Sequence, residues 1–132
     1  MTRQSSRIIH SYGAESGQIR LEQHLADITL DLDQAVPCGL IITELVSNAL
    51  KHAFPKGQKG RITVELQELP DDLILLKVAD DGIGLPPGLD ISKSETLGLK
   101  LVSMLTEKLK GNVEIIRDKG TKFIITFKTK ND

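Results

Sequence analysis

One segment near the middle of the chain, residues 42–53, has the two-sided pattern of a helix that packs on a core. At about 100° per residue, one side is apolar and comprises Ile42, Leu45, Val46, Ala49, Leu50 and Ala53. The other side comprises Glu44, Asn48, Lys51 and His52, flanked by Thr43 and Ser47. The pattern therefore predicts a helix with its apolar side buried. We expect it to open at residues 33–37, with Pro37 near the first turn, and to end near Phe54–Pro55.

The polar side of this helix has an unusual composition. Solvated helix faces tend to carry interchangeable Lys and Glu, whereas this one combines a carboxylate, an amide, an ammonium and an imidazole. Glu44 and Asn48, one turn apart, offer the oxygen ligands that Mg²⁺ takes, and Lys51 could meet a phosphate as a point charge. Taken alone, contact with water remains the simpler explanation of this face.

Composition limits the classes of protein to consider. The chain has 132 residues, of which 39% are apolar and 27% charged, as expected of one globular domain. Its net charge of −1 gives no electrostatic basis for binding nucleic acid or an anionic membrane. The single Cys38 cannot form an internal disulfide and is interpreted as a small buried residue. With no signal-peptide pattern and no bilayer-spanning apolar run, we expect a cytoplasmic domain without direct membrane contact, any anchor lying on other sequence of the parent protein.

The order of predicted elements defines the fold class. Residues 1–17 are polar and weakly patterned and are interpreted as a linker or the tail of an upstream segment, and residues 18–132 as the domain. Strands are predicted at 28–32, 62–66, 73–79, 113–117 and 122–128, with residues 19–22 as a candidate first strand before them, and a second helix is predicted at 96–109. The order β–α–ββ–loop–α–ββ predicts an α+β fold, a two-layer sandwich with helices over one face of a mixed, mainly antiparallel sheet.

Three short segments between these elements carry candidate ligand contacts. Asp80-x-Gly82-x-Gly84 follows a strand, where glycines allow close approach of the backbone and the aspartate can accept a hydrogen bond from an exocyclic amine; a plain turn explains it equally well. Residues 96–99 open a helix, whose N-terminus favours an anion such as phosphate. Residues 120–121 would pass as a hairpin turn.

Taken in order, these segments resemble a known superfamily. ExxxNALKH, DDGIGLP, TLGLKLV and GTKF are similar to the N, G1, G2 and G3 boxes of the GHKL group, which includes gyrase-type ATPases, large heat-shock chaperones, histidine kinases and MutL-like proteins. The wording LIITELVSNALKHAFP is most similar to sensor histidine kinases of the HisKA-2 and HWE-related groups. The resemblance covers about residues 28–128.

The resemblance assigns roles to the polar face of the first helix. It implies that Asn48 coordinates Mg²⁺ and that Glu44 acts through water or the metal. It further implies that Lys51 meets the phosphates of ATP and that His52 lines the same pocket. Glu44, Asn48 and Lys51 are thus the expected catalytic residues, with ATP and Mg²⁺ as cofactors.

It also assigns roles to the loops. Asp80 would recognise the adenine amino group, and Gly82 and Gly84 would form the floor beneath base and ribose. Gly98 would lie at the phosphate-side helix start and is the only glycine of its box, where many kinases have three. Thr121 would lie near Asp80.

The resemblance implies the catalytic, ATP-binding part of a two-component sensor histidine kinase. Such a domain donates the γ-phosphate to a His on a separate dimerisation and acceptor domain, and through it to a response regulator. We expect this chain to be monomeric, to bind nucleotide and not to autophosphorylate on its own. Alternatives are a nucleotide-sensing interaction module without transfer, an anti-sigma-type GHKL serine kinase, and a hydrolysing ATPase in which Glu44 activates water.

Overall fold

A six-stranded sheet and two helices make up the described part of the chain. The computed structural model describes residues 5–12, 19–54, 59–82 and 97–129. The elements are β1 (Ser5–Tyr12), β2 (Ile19–Ala26), α1 (Leu32–His52), β3 (Gly60–Leu69), β4 (Leu73–Asp80), α2 (Leu97–Lys108), β5 (Asn112–Arg117) and β6 (Thr121–Lys128). The strand order is β1-β2-β3-β4-β6-β5, in which only β2 and β3 pair in parallel. The predicted α+β fold with a mixed, mainly antiparallel sheet is confirmed.

The core lies between the sheet and the two helices. Alternate residues of the central strands are fully buried, as period-2 patterning requires, and include Ile62, Val64, Ile74, Leu76 and Ile125. Ile41 and Leu45 of α1 and Val102 of α2 join the same cluster. The face of α1 predicted to be apolar is therefore the buried one. Neither of these two helices, the ones that the structure describes, is long and apolar enough to cross a membrane.

Helix α1 is held at both ends. Asp31 is its N-cap residue, and the Gln34 side-chain amide donates a 2.8 Å hydrogen bond to the carbonyl oxygen of Lys128 at the end of β6. Pro37 lies inside the helix, one turn further in than predicted. The helix ends where predicted, with the Ala53 N–H donating to the Ala49 carbonyl oxygen.

Two sequence predictions near the N-terminus differ from the structure. The strand predicted at 28–32 is wrong, because residues 27–31 have no regular structure and Leu32 begins α1. Ile28 and Leu30 pack against the core whereas Thr29 is exposed, so a loop reproduces the alternation of a strand. Ser5–Tyr12, within the stretch interpreted as a linker or tail, forms the edge strand β1 against β2.

Candidate functional site

Asp80 is the last residue of β4 and has a half-buried carboxylate at the strand end. Its Oδ1 accepts a 2.9 Å hydrogen bond from the Gly82 N–H. Burial raises the pKa of Asp80, the backbone N–H groups of Gly82 and Thr121 oppose this rise, and the charge of Asp81 adds to it. The hydrogen bond from Gly82 holds the carboxylate at the end of β4, where it can accept a hydrogen bond from an exocyclic amine.

The turn between β5 and β6 brings Thr121 to the same strand end. Thr121 is buried and lies opposite Asp80 in the β4–β6 ladder. Gly120, just before it, has φ +120, and a Cβ there would stand only 2.0 Å from the Asp80 carbonyl oxygen. Only glycine suits this position, because the backbone angle and the space both exclude a side chain. The position predicted for Thr121, near Asp80, is thus where the ladder places it.

Gly82 connects this strand end to the end of α1. A Cβ on Gly82 would stand 2.1 Å from the carbonyl oxygen of Ala53, the C-cap residue of α1. Lys51 and His52, both exposed, occupy the last turn of the same helix. A lysine at this place also interacts favourably with the helix C-terminus. The contact between Gly82 and Ala53 places the end of α1, which carries Lys51 and His52, next to the end of β4, which carries Asp80.

The polar face of α1 meets the beginning of α2. Glu44 and Asn48 are half-buried, one turn apart on α1. A Cβ on Gly98 would stand 2.7 Å from Glu44 Oε2 and 3.7 Å from Asn48 Nδ2. The glycine therefore lets the second helix begin directly beside both polar side chains, and the first N–H groups of a helix, which have no partner within the helix, favour an anion.

The donor set on α1 fits a magnesium ion only as a partial site. In the ranges that the structure describes, no group of three or more His, Cys, Asp or Glu side chains is placed to hold a metal. Glu44 and Asn48 supply oxygens of the kind that Mg²⁺ prefers, and Mg²⁺ usually keeps several waters and takes phosphate oxygens. The pair is therefore suited to a metal that arrives with a nucleotide.

The structure thus places these predicted site residues in two groups, each of which lies next to α1. Asp80, Gly82 and Thr121 form one group where β4 ends and β6 begins, and Glu44, Asn48 and Gly98 form the other between the helices. Gly84, the whole of the predicted loop at 86–95 and Thr96 lie outside the described residues.

Sequence reasoning missed two contacts of this site. The backbone of Ala53 behind Gly82 was not foreseen, because it joins segments distant in sequence. Asp81 was treated as a filler in the DxGxG pattern, yet its carboxylate accepts a 2.7 Å hydrogen bond from the Arg61 N–H. The sequence signal that could have indicated a role for Asp81 was the pair of adjacent aspartates, of which only Asp80 was given a role.

Comparison with known proteins agrees with this geometry. The family model described as histidine kinase-, DNA gyrase B- and HSP90-like ATPase matches residues 33–131, from the first turn of α1 past the end of β6. The chain belongs to this family of ATPases. Within it, the chain is similar to the ATPase domains of sensor histidine kinases.

Three relatives illustrate that similarity. Sensor histidine kinase PdtaS of Mycobacterium tuberculosis is 37% identical over 100 residues, which are 73% of this chain and 20% of PdtaS. Blue-light-activated histidine kinase 2 of Erythrobacter litoralis is 28% identical over 109 residues, 83% of this chain and 31% of that protein. The solved histidine kinase domain of Erythrobacter litoralis EL346 superposes with a TM-score of 0.80 at 25% identity, over 86% of this chain and 52% of the other. This chain therefore spans about a fifth of PdtaS.

Proposed function

We propose that this chain is the catalytic, ATP-binding part of a sensor histidine kinase, which binds Mg-ATP and donates the γ-phosphate to a His on a separate domain. The observation that carries the proposal is the fixed Asp80 carboxylate, braced by the Gly82 N–H at 2.9 Å. A carboxylate is an acceptor for the amino group of adenine and would repel the carbonyl that guanine has in its place. Asp80, Gly82, Gly84 and Thr121 would hold the base and ribose.

The phosphates would extend from Asp80 along the polar face of α1. Glu44 and Asn48 lie against Gly98 at the start of α2, where helix N–H groups favour an anion. Asn48, with Glu44 through water, would hold Mg²⁺, which supplies neutralisation of phosphate charge. Lys51 and His52, exposed in the last turn of α1, would contact the phosphates or line the pocket. Catalysis in such a site is positioning and charge neutralisation.

The remaining parts of the proposal concern the parent protein. We propose that residues 18–132 act as one domain in the cytoplasm, where the chain is monomeric and has no direct membrane contact. The acceptor His would lie on a dimerisation domain elsewhere in the parent protein, and a response regulator would take the phosphate from it. Residues 1–17 would connect the two domains, with β1 of that stretch paired to the edge of the sheet.

Calorimetric titration of the purified chain with Mg-ATP is the first test. We expect selective binding of ATP over GTP, lost in Asp80→Asn. Asp118→Asn is the matched control, because Asp118 is an exposed aspartate in the turn between β5 and β6, which leads into Thr121. No binding by the folded wild-type chain would contradict the proposal and favour a module that interacts without nucleotide. Unchanged binding by Asp80→Asn would contradict the assignment of Asp80 to the adenine.

Two further measurements separate the parts of the proposal. Asn48→Asp should weaken Mg-ATP binding more than ATP binding in a chelator; equal losses would remove Asn48 from the metal site. Transfer is tested by adding labelled ATP and the acceptor domain of the parent protein. Phosphohistidine is acid-labile and phosphoserine acid-stable, so an acid-stable product would favour the anti-sigma-type serine kinase, and release of free phosphate alone a hydrolase.

A further inference from the structure

Asp81, the residue after β4, is hydrogen-bonded twice to Arg61 of β3. Its Oδ1 accepts a 2.7 Å bond from the Arg61 N–H, and its own N–H donates a 3.2 Å bond to the Arg61 carbonyl oxygen. The β3–β4 ladder ends with the pair Ile62 and Asp80. These two bonds therefore extend the pairing by one residue beyond the strand, with a side chain supplying one of the acceptors.

The extension holds the backbone on both sides of Asp81. Asp80, before it, carries the carboxylate of the candidate site, and Gly82, after it, donates to that carboxylate. Gly82 also has no space behind it, because a Cβ there would stand 2.1 Å from the Ala53 carbonyl oxygen. A movement of Asp81 would thus displace both the acceptor and its donor.

Arg61 is itself held by the neighbouring strand. Its Nε lies 3.6 Å from Glu22 Oε1 on β2, and His24 Nε2 lies 3.5 Å from the other oxygen of that carboxylate. The Glu22 side chain is only 11% exposed, so it is a fixed partner, whereas the Arg61 side chain is 56% exposed. The backbone of Arg61 serves Asp81 while its side chain rests on β2.

We propose that Asp81 is a positioning residue of the nucleotide site, which holds the exit of β4 against Arg61 so that Asp80 and Gly82 keep their geometry. The inference rests on the proposed binding of ATP at Asp80. Asp81 is exposed and its carboxylate is bonded to the backbone of β3, so it acts through its neighbours. What matters in this role is a hydrogen-bond acceptor at the Oδ1 position.

Four variants test the proposal. Asp81→Ala removes the acceptor, Asp81→Asn keeps an oxygen but no charge, and Asp81→Glu keeps the charge but displaces it by one methylene. Asp118→Ala, in the turn between β5 and β6, controls for the loss of a negative charge near the site. A hydrogen bond to a charged group contributes about a factor of ten to an equilibrium constant. We therefore expect Asp81→Ala and Asp81→Glu to bind Mg-ATP about tenfold more weakly than the wild-type chain does. The affinities of Asp81→Asn and Asp118→Ala should lie within about twofold of the wild-type affinity.

Amide hydrogen exchange at Arg61 provides a second readout. Protection of this amide should fall in Asp81→Ala and remain in Asp81→Asn, with unchanged circular dichroism in all variants. Wild-type affinity in Asp81→Ala would overturn the inference, and so would an Asn variant as weak as the Ala variant, since charge and not position would then be responsible. No binding of ATP by the wild-type chain would instead contradict the proposed function.

Discussion

The carbonyl oxygen of Ala53 lies directly behind Gly82, at 2.1 Å from where a Cβ would be. The contact joins the C-cap of α1 to the segment that leaves β4. It therefore sets the distance between the two groups of candidate ligand contacts, one at the strand end and the other on the helix. In the proposed site, the first group would contact the base and the second the phosphates of the nucleotide.

Replacing Gly82 by alanine should damage both fold and binding. The new Cβ would meet backbone atoms that cannot move aside, and such overpacking costs about 1–3 kcal/mol. Denaturant unfolding and calorimetry with Mg-ATP measure the two losses. Gly39→Ala is the matched control, since nothing lies within 4 Å of its Cβ position on α1, and it should be stabilised by about 0.5–1 kcal/mol. A Gly82→Ala variant as stable as wild type would contradict the close contact.

Gly98→Ala should separate stability from binding. Its Cβ would meet Glu44 Oε2 at 2.7 Å, the far end of a flexible side chain that can rotate away. Helix propensity favours alanine by about 1 kcal/mol, so the unfolding free energy should hold or rise. The displaced carboxylate should weaken Mg-ATP binding more than metal-free ATP binding. Equal affinity of variant and wild type for Mg-ATP would argue against Glu44 as a contributor to the metal site.

Asp80 should make stability depend on pH in an unusual direction. Burial raises its pKa above the ordinary 3.8, so the folded state keeps the proton to higher pH than the unfolded state does. The contribution of this group to the unfolding free energy therefore falls as pH rises from 3.8 through the raised pKa. Without nucleotide, Asp80→Asn should match or exceed the wild-type unfolding free energy near neutral pH and converge with it in acid. A variant less stable than wild type only at neutral pH would reverse the sign.

Nucleotide binding should show the complementary dependence. If the charged form of Asp80 accepts the hydrogen bond of adenine, affinity should fall as pH decreases through the raised pKa, beginning above 3.8. Calorimetry across this range measures the decrease. A flat profile would mean that another group recognises the base.

Leu45→Ala tests the assignment of the faces of α1. Leu45 is 2% exposed in the core, and truncation of such a leucine costs about 2–5 kcal/mol. Leu32→Ala is the control on the same helix, because Leu32 is 79% exposed and should change stability little. Similar unfolding free energies of the two variants would mean that the faces are reversed.

Local patterns were sufficient for most of the fold. Residues 62–66 and 73–79 were predicted as strands from their pattern, and β3 and β4 confirm both with longer strands. The helical periodicity of apolar residues predicted α1 and α2, because the buried face of each helix is encoded in its own residues. The strand predicted at 28–32 was wrong because Ile28 and Leu30 alternate with exposed Thr29 without any ladder partner.

Contacts between distant segments were beyond the reach of local patterns. Nothing in the sequence places Ala53 behind Gly82 or the Arg61 backbone beside Asp81. The edge strand β1 was missed because it has no strong apolar pattern of its own. Its pairing with β2 is what defines it as a strand. The roles of the candidate site residues came from ordered motifs, and they stay predictions until ligand binding is measured.

The parallel pairing of β2 and β3 has a consequence for how the chain folds. In sequence, all of α1 separates these two strands, so their pairing requires the closure of a long connection. By contrast, β3 and β4 are joined by the short turn at 70–72. We expect the φ-values of the folding transition state to be high in the β3–β4 hairpin and low in β2; the reverse order would contradict this scheme. Because Asp80 and Thr121 belong to strands that α2 and β5 separate in sequence, a refolding molecule would gain affinity for nucleotide only after this longer connection has closed.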